Sequence, residues 1–395
     1  MSLISYRSVQ FKHCLKLIKT NVGQNRTFSL VQAVQPNFKL PVQDPEPVEQ
    51  ISNPYGMALT DAVFTSELPP ICGEIYRRLR DEGHRRFRDA PADGLTSVRA
   101  RYFDNINYVG GAAKRRVLML HGTPGNHLHF SSLIKHLTDD GVRVIAPHFP
   151  NLSLSEKCRH WRHSAEERGE FLKALADVTG VRDFDAILTH SSGVYSSCTA
   201  TVDGQNSNIS PLSAKSYIWF NPCGLESLSV MKPEWFITPV IKMSEHRVLG
   251  PALDIVGRSI LKVAGNAMSG SNSFRDSRWG GYTNLYTDRS VLREKLTTIN
   301  EQKIPTTIVY STNDRVVTLK MTENVLNSLN ASSENADIYD HNGKLVKVGC
   351  KSSKIDEPMS DWFKLVQFTS GGHFSYLKNS AITCRLVSDH LQKLV

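Results

Sequence analysis

Asp185-Ala-Ile-Leu-Thr-His-Ser-Ser-Gly193 is an apolar run that breaks off on two serines and a glycine. Its first five residues predict a strand, and the break predicts a tight turn into a helix. A serine at such a turn stands above the sheet edge. The strain of the turn demands small residues two places before it and two places after it. Around Ser191 those places hold Thr189 and Gly193. Gly193 meets the demand. Thr189 is small but β-branched, and it departs from the usual glycine by crowding the turn. A free hydroxyl is a poor nucleophile near neutral pH, so Ser191 as a nucleophile requires a base and a group to orient that base.

Two later segments supply them. His373 lies in Thr369-Ser-Gly-Gly-His-Phe374, after the apolar run Phe363–Phe368. Its two preceding glycines let the backbone fold so that an imidazole can point back over a sheet edge. Asp314 lies in Ser311-Thr-Asn-Asp-Arg-Val-Val317, just past the run Thr306–Tyr310. A carboxylate there can hold the second ring nitrogen and stabilise the imidazolium. Competing structural roles exist for each residue. Ser191 or Ser192 could cap the following helix, and Asp314 could cap a helix beginning near Val316. His127 with His129, and His160 with His163, have metal-like spacing, but no companion acidic motif supports a metal site. Cys198 and Cys223 read as buried small hydrophobes.

Working outward, strands predicted at Val98–Phe103, Arg116–Leu120, Val142–Ala146, Tyr217–Phe220, Thr306–Tyr310 and Phe363–Phe368 alternate with helices, as at 127–139 and Ser164–Thr179. This alternation predicts an α/β fold with a mostly parallel central sheet covered by helices on both faces. The rhythm breaks over 225–300, with helical pieces around 236–264 and a Gly/Ser-rich turn region over 265–281; this reads as a helical lid insertion. Asp340-His-Asn-Gly343 between Ile338-Tyr339 and Leu345–Val348 predicts a small hairpin within an irregular insert over 334–361. The expected organisation is therefore 1–28 as a presequence, 29–95 as an extension with a mixed-charge helix over 71–90, 96–224 as the first part of the core, 225–300 as lid, and 301–395 as the second part.

With these motifs in place, residues 96–395 resemble the α/β-hydrolase superfamily, and within it the capped, lipase- and esterase-like serine hydrolases. The resemblance implies the order nucleophile, acid, base, matched by Ser191, Asp314 and His373. It places the superfamily's HG turn at His121-Gly122-Thr123-Pro124-Gly125, and it implies an oxyanion hole made by the backbone N–H groups of Thr123 and Ser192. His121 and Gly122 would support that turn, and His190 and Gly193 would pack behind the nucleophile. The implied reaction is cleavage of an ester, thioester or amide of a small or lipid-like substrate through an acyl-enzyme, with no cofactor. Serine rather than aspartate at the elbow argues against epoxide hydrolase or dehalogenase chemistry. Acyl transfer is disfavoured because His373–Lys378 lacks the acid that some lipid acyltransferase relatives carry five places on. A catalytically inactive binding or scaffold protein on the same fold is the alternative.

Composition sets the outer bounds. Of 395 residues, 40% are hydrophobic and 22% charged, enough for a sizeable core and too apolar for global disorder. No apolar stretch reaches the length of a membrane span. The seven cysteines are scattered and form no C-x-x-C pair, which favours free thiols over a disulfide framework or zinc site. The formal charge is +9, and Arg7, Lys12, Lys16, Lys19 and Arg26 account for five of it; the remaining +4 calls for no nucleic-acid partner. Ile4, Phe11, Leu15, Ile18 and Val22 would share one face of a helix, and no acidic residue precedes Asp44. Such a segment resembles a mitochondrial transit peptide, with Arg26-Thr-Phe-Ser29 similar to a matrix-protease site; a cytoplasmic protein whose basic helix caps the fold is the alternative. Oligomeric state leaves no trace in the sequence.

Overall fold

Ten strands form one sheet whose middle is parallel. The computed structural model describes residues 62–83, 90–91, 93–95, 98–110, 113–152, 155, 158, 160–201, 210–228, 231, 234–243, 249, 274–349 and 362–394. The expected presequence 1–28, the lead-in to residue 61 and most of 244–273 lie outside the described residues. In chain order the strands are β1 (Val63–Glu67), β2 (Arg99–Asp104), β3 (Arg115–Leu120), β4 (Val142–His148), β5 (Asp183–Phe184), β6 (Ala186–His190), β7 (Ser213–Ala214), β8 (Tyr217–Phe220), β9 (Thr306–Ser311), β10 (Asp337–Tyr339), β11 (Leu345–Lys347) and β12 (Phe363–Phe368). The large sheet runs β1-β2-β4-β3-β6-β8-β9-β12-β10-β11, and β5 pairs with β7 apart from it. From β4 to β10 every neighbouring pair is parallel; β1, β2 and β11 add antiparallel edges. The hairpin expected at Asp340–Gly343 is the β10–β11 turn.

Strand residues alternate between two cores. Leu118, Leu120, Ile187, Trp219 and Ile308 face one side, while Val117, Met119, Leu188, Ile218 and Val309 face the other. On the first side lie α1 (Gly73–Asp81), α3 (Ala165–Thr179), α4 (Gly193–Ala200), α7 (Ser290–Gln302) and α8 (Leu319–Ser328); on the second lie α2 (Ser131–Asp139) and α9 (Ser380–Gln392). The remaining long helices, α5 (Glu234–Met243) and α6 (Phe274–Tyr286), belong to the insertion between β8 and β9. Because strands buried on both faces have no polar side, the middle strands are continuous apolar runs. Burying a side chain such as Phe149 or Leu188 fully is worth about 1.5–3 kcal/mol.

Local chemistry sets the helix starts. α3 begins with a capping box: Ser164 Oγ accepts from the Glu167 backbone N–H at 3.1 Å, and the Ser164 N–H donates to Glu167 Oε2 at 3.0 Å. The same Glu167 accepts from the Tyr76 hydroxyl of α1 at 2.9 Å, tying the two helices together. Described as helix, α1 covers nine residues of the predicted 71–90, and its surface is laced by Arg77–Glu74 and Arg78–Glu166 pairs.

The turn region expected over 265–281 requires correction from residue 274 on; residues 265–273 lie outside the described residues. From Phe274 the chain is helical, and α6 carries Gly280 and Gly281 in its interior. Each glycine costs a helix about 1 kcal/mol against alanine. Tertiary packing overrides that cost: a Cβ on Gly280 would stand 2.8 Å from the Thr123 carbonyl oxygen, and one on Gly281 would stand 2.4 Å from Ile241 Cδ1 of α5. The glycines mark close helix packing, not a turn.

Gly193 is subject to a tighter version of the same constraint. A Cβ there would sit 2.4 Å from the Leu120 carbonyl oxygen, a backbone atom of the central strand β3. Gly193→Ala is expected to lower the urea midpoint by a stability loss of about 1–3 kcal/mol, the usual range for overpacking. A wild-type midpoint for this variant would show that α4 can shift away from β3 freely.

Candidate active site

Four connections leave the carboxyl ends of β3, β6, β9 and β12, and with β8 these strands are consecutive in the sheet. Ligands and catalytic groups of parallel α/β sheets gather at that end. The HG turn, Ser191, Asp314 and His373 each lie there. Ser191 follows β6 directly with φ of 54°, in the left-handed region, where a non-glycine residue is strained by about 1–3 kcal/mol. Its N–H donates to the Phe220 carbonyl at 3.0 Å, and its carbonyl accepts from Val194 and Cys223, which holds the turn in place. Neither Ser191 nor Ser192 caps α4 through its side chain.

His373 and Asp314 are joined. The ring Nδ1 lies 2.8 Å from Asp314 Oδ2, so with the proton on Nδ1 the imidazole donates to the carboxylate. The other carboxylate oxygen, Oδ1, accepts from the backbone N–H groups of Val316 and Val317 at 2.8 and 3.0 Å. Asp314 therefore both organises its own loop and orients the His373 ring. Asn221, the first residue after β8, adds a third constraint that sequence reasoning missed. Its Nδ2 donates to Asp314 Oδ2 at 2.9 Å, while its Oδ1 accepts from Ser375 Oγ at 2.8 Å. Its position immediately after a buried strand between β6 and β9 is the signal that could have drawn attention to it.

The Ser191 hydroxyl makes no hydrogen bond to His373 among the described residues. It faces Cys223 Sγ at 3.5 Å, and Cys223 is a buried core residue, as expected. Burial pushes the Cys223 thiol up to about 12, which keeps it protonated and uncharged beside the serine. His190 packs behind as expected. Its ring lies 4.7 Å from that of His373, and its Nε2 is 2.9 Å from the His373 carbonyl. Gly122 lets the HG turn close on the elbow, since a Cβ there would be 2.8 Å from Ser191 Cβ. His121 is buried and structural: its Nδ1 is 2.7 Å from the Gly122 carbonyl, and its ring meets Phe149 edge-on. Thr123 and Ser192 stand side by side, their hydroxyl oxygens 3.1 Å apart. Thr189 lies in regular β6 pairing, opposite Trp219 and Leu120, fully buried and with no partner for its hydroxyl among the described residues. The β-branched residue is thus accommodated in the strand, before the turn begins.

From α6, Gly280 presses on the Thr123 carbonyl, and Thr283 Oγ1 is 3.3 Å from Thr123 Oγ1. The insertion therefore packs directly on the HG turn. A cavity of about 60 Å³ bordered by Thr306, Trp362 and His390 opens at the opposite, amino end of β9 and β12 and carries none of these groups. Among the described residues, no group of three or more potential ligands is arranged for a metal, and no helix is long and apolar enough to cross a membrane.

Residues 87–255 match the model of a family described as alpha/beta hydrolase of unknown function (DUF1057). A thermophilic esterase from Thermogutta terrifontis is similar in structure, with a TM-score of 0.53 at 12% identity over 84% of this chain and 99% of that one. The haloalkane dehalogenase DatA from Agrobacterium tumefaciens C58 gives 0.52 at 12% over 85% and 98%, and the esterase EaEST from Exiguobacterium antarcticum gives 0.50 at 13% over 75% and 96%. At such identities the likeness speaks to fold alone. No curated protein sequence matches the chain. The chain has the α/β-hydrolase fold.

Burial holds His121 down to about 3 and His127 and His129 down to about 4, so all three are neutral at pH 7. Their ordinary value is near 6.5, and the unfolded chain takes up protons that the folded chain refuses. Their contribution to stability is fully present above pH 6.5 and is lost as pH falls through about 4. Each group gives a slope of up to about 1.4 kcal/mol per pH unit within that window. Urea midpoints should fall from pH 6.5 to 4.5, and His129→Gln should make the fall shallower. A flat profile would show these rings to be freely protonated in the fold.

Proposed function

We propose that the protein is a serine hydrolase that cleaves an ester, thioester or amide through an acyl-enzyme. The observation that carries this reading is the Asp314–His373 hydrogen bond, set beside a left-handed Ser191 on the carboxyl ends of neighbouring parallel strands. For reaction, the Ser191 hydroxyl leaves Cys223 Sγ by a side-chain rotation of about 120° between staggered rotamers and meets His373 Nε2. An O–H···S contact is weak and easily given up. Oγ then attacks the carbonyl carbon as its proton passes to Nε2. Asp314 stabilises the imidazolium through Nδ1–H. The backbone N–H groups of Thr123 and Ser192 take the developing oxyanion, where one donor is worth about 3–4 kcal/mol. Collapse breaks the bond to the leaving group, which departs with the proton from His373. Water repeats the sequence against the acyl-enzyme, its proton going to His373 and then to Ser191, so that free acid and free enzyme result.

A fluorophosphonate probe is expected to label the wild-type protein and to leave Ser191→Ala unlabelled. Asp314→Asn should lower kcat on a reactive ester by about 10³-fold or more, since the imidazole loses its orienting partner. Labelling that survives Ser191→Ala, or a folded wild type that resists the probe, would overturn the reading.

The same reading extends to the amino terminus, where the basic, acid-free amphipathic segment 1–28 supports a mitochondrial destination. Amino-terminal sequencing of protein recovered from cells should find a start near Ser29; a start at Met1 or Ser2 would count against import.

A further inference from the structure

Arg168 is the anomaly of the site's surroundings. It lies on α3 and is completely buried, yet no carboxylate bridges it among the described residues. Its Nη2 donates to Thr123 Oγ1, to His163 Nδ1 at 3.1 Å and to Thr283 Oγ1 at 3.4 Å, all uncharged acceptors. Its guanidinium carbon lies 4.5 Å from the centre of the Phe149 ring. Nε and Nη1 are buried and have no hydrogen-bond partner among the described residues. Glu167 adjoins it in sequence, but spends its oxygens on Tyr76, Ser164 and the Arg162 N–H.

A buried cation with no carboxylate in direct contact is costly, and the charge of Glu167 offsets only part of that cost. Burial pulls Arg168 down to about 9, which still leaves it charged at pH 7. Its place bears on the chemistry. Thr123 joins it to the HG turn and to Ser192, Thr283 joins it to α6, and its charge is felt by Cys223, whose sulfur touches the Ser191 hydroxyl. The cation therefore stands within one side chain of the nucleophile, under the insertion. A residue serving only to position Thr123 would need one donor; Arg168 keeps two nitrogens in reserve.

We propose that Arg168 binds a carboxylate carried by the substrate, so that the enzyme acts on esters, thioesters or amides of short acids bearing a second, free carboxyl group. This rests on the serine-hydrolase reading and narrows it. One guanidinium with two unpartnered nitrogens matches the two oxygens of a single carboxylate. A dianionic phosphate would overbalance it, because the nearby rings of His121 and His163 are held neutral by burial.

Two measurements test the proposal without turnover. In the first, the melting temperature of the wild-type protein is followed with succinate or glutarate and with the corresponding diamides. The diacids should raise it by about 2 °C or more, as a native-state ligand does, and the diamides should not. In the second, the Ser191→Ala protein, which holds an ester without cleaving it, is titrated with monomethyl succinate and with methyl butyrate. The charged ester should bind at least about tenfold more tightly, the margin expected of a charge-assisted hydrogen bond. Adding Arg168→Met should bring that ratio to about one, and Arg168→Lys should leave part of it. Equal melting shifts with diacid and diamide, or equal binding of the two esters by Ser191→Ala, would overturn the proposal. Fluorophosphonate labelling of the same wild-type preparation separates the two readings. Anion preference without labelling keeps the Arg168 site and removes Ser191 chemistry; labelling without anion preference does the reverse.

Discussion

The site depends on how closely three pieces of backbone approach one another at the carboxyl end of β3. Leu120 ends that strand, Gly122 turns away from it, and Gly193 begins the helix after Ser191. The gaps are too small for a Cβ: 2.4 Å at Gly193 and 2.8 Å at Gly122. Because backbone atoms form one wall, the structure cannot relax around an added methyl by turning a side chain. This closeness sets the hydroxyls of Thr123 and Ser192 side by side next to Ser191. Gly280 repeats the device from the insertion, setting α6 against the Thr123 carbonyl. Glycine, usually a weakness in a helix, is here the condition for assembly.

Electrostatically, the surroundings of the elbow are almost silent. His121, His127, His129, His163 and His190 all have their charged forms suppressed by burial, and the Cys223 thiol is pushed up. Against that background two features stand out. One is the Asp314 carboxylate, held by two backbone N–H groups, Asn221 and His373. The other is the guanidinium of Arg168. A low-dielectric site makes each remaining charge count for more, both on a developing oxyanion and on a charged substrate.

Much of the fold was legible because its signals are local. Buried parallel strands leave continuous apolar runs, so Tyr217–Phe220 and Phe363–Phe368 were found at their true limits. The hairpin at Asp340–Gly343 was legible from turn chemistry. The error over 274–281 arose because Gly280 and Gly281 carry the local signature of a turn, while their reason for being glycine lies far away in the chain, at Thr123 and Ile241. Arg168 escaped notice for a similar cause. In an amphipathic helix rich in Glu and Arg, nothing local tells a buried arginine from an exposed one.

The sequence by itself determined the class of fold and the turns that carry Ser191, Asp314 and His373, because each is written in a strand-then-turn pattern a few residues long. Only the tertiary structure decided that Asp314 and His373 meet, that Asn221 steadies them, that the serine hydroxyl faces Cys223, and that Arg168 is buried against Thr123 and Thr283. Those are distances between residues tens to hundreds of positions apart. They are set by strand order and by how tightly glycines let the backbone close, and neither quantity is encoded in any one stretch of chain.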